Sequence, residues 1–130
     1  MGLILVGKNG MTRALSYDQA ASAEAVLTEI LGKKVDLGKC TESEGKTRAD
    51  ALRKNVSRLR LLKSDHDEQG YELLVVQGVD PRRMLSERYH YRRFDLETTP
   101  EAVELDSEWE KFVLGLAEFL DECEGIVRVE

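Results

Sequence analysis

The C-terminal quarter constrains the fold most, because apolar residues return there at every third or fourth position between Trp109 and Cys123. Trp109, Phe112, Val113, Leu116, Leu120 and Cys123 share about one-third of a helix circumference, with Phe119 at its edge. A stripe of that width must be covered, so the rest of the chain has to supply another layer. Ser107 and Glu110 have the spacing of a capping box, which predicts a helix starting at Ser107, and Gly125 predicts its end. The β-branched run Ile126-Val127-Arg128-Val129 predicts a closing strand.

The N-terminal half supplies the covering elements. Leu3-Ile4-Leu5-Val6 leads into Gly7-Lys8-Asn9-Gly10 and then Met11 to Leu15. Asn-Gly between two such runs predicts a hairpin closed by a type I′ turn. The first strand is apolar on both faces, which places it inside a sheet. Ser16 and Gln19 form a capping box for a helix whose Ala20, Ala23, Leu27, Ile30 and Leu31 share one face. Gly32 closes that helix, Lys33 and Lys34 suit its negative end, and residues 35–46 read as a loop.

A second helix is expected over residues 47–63, with Leu52, Val56 and Leu59 inward and Arg53, Lys54, Arg58 and Arg60 outward. Asn55 lies beside its apolar stripe and needs a hydrogen-bond partner there. Tyr71 to Gln77 predicts a strand, Asp80-Pro81 a turn, residues 87–96 a further strand, and residues 97–106 an acidic connector. The expected order is ββααββαβ. This is an α+β fold, a mostly antiparallel sheet of about five strands with about three helices on one face, and residues 1–130 make a single domain.

Charge is segregated along the chain. Twelve carboxylates and two bases lie between Asp95 and Glu130, a net −10, which leaves +4 on residues 1–94 out of an overall −6. The basic part has two concentrations, residues 46–63 and the arginine-rich residues 82–93. Three arrangements compete. The acidic helix neutralises basic elements within one molecule, acidic and basic faces of two copies meet, or the basic surface binds phosphates. In the last case Arg88, Tyr89, Tyr91, Arg92 and Arg93 supply charge and stacking planes, joined by Arg53, Arg58 and Arg60. Strand alternation puts Tyr89, Tyr91 and Arg93 on one face and Arg88 and Arg92 on the other, so they do not make one surface.

No catalytic, dinucleotide-binding or P-loop signature is present. Asp65-His66-Asp67-Glu68 reads as a solvated turn, since adjacent loop residues seldom converge on one ion, and no metal or cofactor is expected. Cys40 follows Lys39 in a Gly-rich loop, which predicts an exposed and somewhat activated thiol, whereas Cys123 belongs to the core. Two cysteines are too few for a disulfide scaffold and wrongly spaced for structural zinc. A Cys40–Cys123 bridge is the alternative to two free thiols, which are expected because cytosolic thiols stay reduced. Met1 to Val6 is too short an apolar run for a signal or a membrane span, which predicts a cytoplasmic protein. The expected function is a small non-enzymatic protein-binding module of inhibitor, immunity or adaptor type. It would act through charged surfaces on a protein partner or by dimerising. The alternative is a binder of anionic ligands or nucleic acid through helix 47–63 and strand 87–96.

Overall fold

The computed structural model describes residues 2–63, 72–84 and 101–130. The chain opens with strands β1 (Gly2–Gly7) and β2 (Thr12–Ser16), which pair antiparallel with Leu3 opposite Leu15 and Leu5 opposite Arg13. Their connection is not a type I′ turn. Neither Lys8 nor Asn9 has a positive φ; Gly10 alone does, at 92°, and its amide donates to the Gly7 carbonyl at 3.0 Å. Asn9 is held by its side chain instead. Its Nδ2 donates to the Glu122 carbonyl at 2.8 Å and its Oδ1 accepts from Met11 N, so the turn is locked onto a distant helix end.

Helix α1 (Tyr17–Leu31) begins at the capping box of Ser16 and Gln19 and ends at left-handed Gly32, as its sequence predicts. Helix α2 (Glu42–Asn55) does not follow the expected limits 47–63. It starts under a second capping box, in which Thr41 Oγ1 accepts from Glu44 N and Glu44 Oε1 accepts from Thr41 N. It stops at Asn55, followed by a 3-10 turn over Val56–Arg58 and strand β3 (Leu59–Lys63). Leu59, Leu61 and Leu62 are all buried; their short apolar run fits either a helix or a strand, and pairing with β4 (Glu72–Val76) settles it. Asn55 finds its partners locally, donating to the Ala51 carbonyl at 2.8 Å and accepting from Arg58.

After Asp80 comes a single helical turn, α3 (Pro81–Met84), where a plain turn was expected. The acidic connector contains a two-residue strand, β5 (Val103–Glu104), paired with β3. Helix α4 (Ser107–Glu122) is capped by Asp106, whose Oδ1 accepts from Trp109 N at 2.9 Å. The expected capping box on Ser107 does not form; a single side-chain cap from Asp106, one residue earlier, takes its place. Strand β6 (Ile126–Val129) closes the chain against β1.

The α+β class and the approximate element order hold, but the single sheet of about five strands does not. Among the described residues two three-stranded antiparallel sheets form, ordered β2-β1-β6 and β4-β3-β5. The cause is β6, which takes the side of β1 opposite β2, so the middle strands form a sheet of their own around β3. The expected strand 87–96 lies outside the described residues.

Side chains of α1 seal part of the second sheet. Ser22, with no exposed surface, accepts the Leu74 amide at 3.0 Å, and Asp18 accepts the Glu72 amide at 3.2 Å. Side chains one helical turn apart thus hold two amides of β4, the outer strand of that sheet among the described residues. Helices α2 and α4 pack closely on each other. Gly45 permits that approach: a Cβ there would lie 2.5 Å from the Leu120 carbonyl oxygen. Trp109, Leu116 and Leu120 are buried in the continuous core, as the stripe requires.

Candidate interaction surfaces

The charged residues singled out from sequence fall into different settings. Along the α2–α4 seam, Arg53 Nη1 lies 3.1 Å from Asp121 Oδ2, and Lys46 Nζ lies 3.5 Å from the same carboxylate and 3.2 Å from its main-chain carbonyl. The Arg53 guanidinium, with Lys46 beside it, holds the Asp121 carboxyl below the usual carboxylate range. Two bases of α2 are thus neutralised by the acidic helix within one molecule. Arg58 donates to Asn55 Oδ1 at 2.9 Å. Arg60 turns onto the Ser57 and Leu59 carbonyls and Gln77 Oε1, at the rim of a cleft of about 310 Å³ that Glu104 and Glu110 also line. Arg88, Tyr89, Tyr91, Arg92 and Arg93 lie outside the described residues, as do His66, His90 and the Asp65–Glu68 turn.

On α4 the outward residues Glu108, Lys111, Leu114, Glu118 and Glu122 follow one another at three- and four-residue spacing. Among the described residues, none of the three carboxylates has a cation within 4.0 Å. Leu114 is 42% exposed in their midst, and the Arg13 guanidinium lies over Gly115 at one margin.

A third cluster joins Asp18, Glu72 and Glu108 around Trp109, lining a cleft of about 170 Å³. Glu72 Oε2 accepts the Trp109 indole N–H, and Asp18 already accepts the Glu72 amide. Those two carboxylates brace the strand and the indole, a structural use. Among the described residues no three His, Cys, Asp or Glu side chains are grouped to hold a metal ion.

Cys40 contradicts the expectation of an exposed, activated thiol. It is 6% exposed, and its backbone bridges to Ile126, which pulls the loop into the core. Burial pushes its thiol up, and Arg48 offsets only part of that; burial raises Cys123 as well. Both cysteines are free.

Arg48 escaped the sequence reading. It is buried, donating from Nη1 to the Asp36 carbonyl at 3.2 Å and from Nη2 to the Lys39 carbonyl at 2.9 Å. Its signal was position: it stands three residues after Gly45 and four before Leu52, on the inward face of α2. Beside it a cleft of about 200 Å³ opens between α2 and the end of α1, lined by Lys33, Lys34, Ser43 and Thr47 among others. Among the described residues no helix is long and apolar enough to cross a membrane. No family model, curated protein or solved structure matches the chain.

Proposed function

We propose that the protein is a small non-enzymatic binding module, working in the cytoplasm, that docks a basic protein partner on the outer face of α4. The supporting observation is the stripe of Glu108, Lys111, Leu114, Glu118 and Glu122, in which an exposed leucine sits among three carboxylates that have no cation within 4.0 Å among the described residues. Unpaired charge steers a partner of opposite sign and fixes its register, while a desolvated apolar residue holds it. The seam of α4 toward α2 is neutralised through Asp121, and Glu108, Glu118 and Glu122 are left without a cation within 4.0 Å among the described residues.

The test is affinity capture from the native host with wild-type protein and the variant E108K/E118K/E122K, combined with sizing of the purified chain. A basic protein retained by wild type at low salt, lost at high salt and lost with the variant supports the reading. Retention that ignores the charge reversal overturns it. A dimer that forms equally well in both proteins, with no basic protein captured, also overturns it in favour of self-association.

A further inference from the structure

A second surface carries the opposite charge. The cleft between the end of α1 and the first turns of α2 gathers Lys33, Lys34 and Arg48 with the hydroxyls of Ser43 and Thr47, against one carboxylate, Glu44. Leu31 and Val35 complete its lining with apolar surface. We propose that this cleft binds the phosphate group of a small organic phosphate.

Three features support that chemistry. Arg48 is anchored by two carbonyls, so its guanidinium plane is fixed, and two bonds leave part of its five-donor fork for a ligand. Lys33 and Lys34 are exposed, and among the described residues neither has a carboxylate within 4.0 Å. Ser43 stands in the first turn of α2, where the helix dipole favours an anion. Its Oγ lies 3.4 Å from Thr41 Oγ1, which accepts from Glu44 N and is able to give its own proton to Ser43. The Ser43 hydroxyl hydrogen is then available to the ligand. Thr47 already donates to the Ser43 carbonyl at 3.1 Å, so it contributes shape rather than a donor.

Glu44 is the opposing element, and it makes the proposal sharp. Its Oε1 holds the Thr41 amide, and its Oε2 lies 3.9 Å from Arg48. A glutamine closes a capping box equally well, so Glu44→Gln removes a negative charge from the cleft and keeps the helix start.

The experiment is a titration of the whole chain with inorganic phosphate and, separately, glycerol phosphate at low ionic strength. It is read by amide NMR shifts and referenced to chloride at equal ionic strength. Saturable shifts centred on residues 33–35 and 43–48 are expected with both probes. Tighter binding of glycerol phosphate would assign the Leu31 and Val35 wall to the organic part, and equal binding would assign recognition to the phosphate alone. The variant K33A/K34A should weaken binding by about tenfold, because it removes two exposed positive charges from the cleft. Glu44→Gln should strengthen it. Shifts that fail to saturate, that persist unchanged in K33A/K34A, or that weaken in Glu44→Gln would overturn the site.

Discussion

The two flanks of α2 treat positive charge in opposite ways. Toward α4, Lys46 and Arg53 meet Asp121, and the helices approach until Gly45 lies against a main-chain carbonyl. Toward α1, Lys33, Lys34 and Arg48 share a cleft with a single carboxylate, and that one is engaged by the helix cap. The difference is one of spacing. A helix pair brought close by glycine and alanine leaves room for side-chain ion pairs only along its margins, whereas an open junction leaves Lys33 and Lys34 facing solvent beside the buried Arg48. One flank is therefore built for cohesion and the other for a ligand.

Breaking the closed flank should give the largest effect. Gly45→Ala gains about 1 kcal/mol in helix propensity, yet its Cβ would collide with the Leu120 carbonyl. A net loss of about 2 kcal/mol is expected by urea denaturation. A neutral or stabilised variant would show that the seam has slack. Arg48→Met comes next. It leaves the Lys39 carbonyl without its guanidinium donor and the Asp36 carbonyl with the Lys39 amide alone, at about 1–3 kcal/mol. Amide exchange should accelerate first over residues 35–40, because Arg48 joins Thr28 and Glu24 in holding that loop.

Ser22→Ala lies outside both flanks and calibrates them. It leaves the buried Leu74 amide unsatisfied, at about 1–2 kcal/mol, with faster exchange of that amide. The smallest effect concerns pH. Asp121 and Glu44 both titrate below their usual range in the folded chain, Asp121 chiefly through Arg53 and Glu44 chiefly through Thr41. Their folded pKa values lie under the unfolded ones, so their contribution is present at neutral pH. It is lost as the pH falls below about 4. In Asp121→Asn the acid limb of stability should flatten; an unchanged limb would assign acid sensitivity to other carboxylates.

How much was visible in the sequence follows the same division. Helices α1 and α4 were legible because each has one uninterrupted apolar stripe and local stop signals, Gly32 and Gly125. Helix α2 was misplaced because Gly45 reads as a helix breaker until α4 is known to lie against it, although Thr41 and Glu44 carry a readable cap. The pairing of β1 with β6 joins the two ends of the chain, and no local pattern encodes it. The cleft was missed for a related reason: Lys33 and Lys34 looked like charges on a helix end, and only the fold brings Arg48 beside them. Of the surface arginines chosen from sequence, the described ones, Arg53, Arg58 and Arg60, turned out to hold neighbouring elements of the chain.

The contrast between the flanks is tested most directly by reversing charge on each and comparing denaturation midpoints. Asp121→Lys sets a third cation against Lys46 and Arg53, so the midpoint should fall. The variant K33E/K34E removes two cations that make no ion pair among the described residues and loses only their interaction with the negative end of α1, so its midpoint should fall much less. Equal losses in the two proteins, or a loss in K33E/K34E alone, would contradict the account.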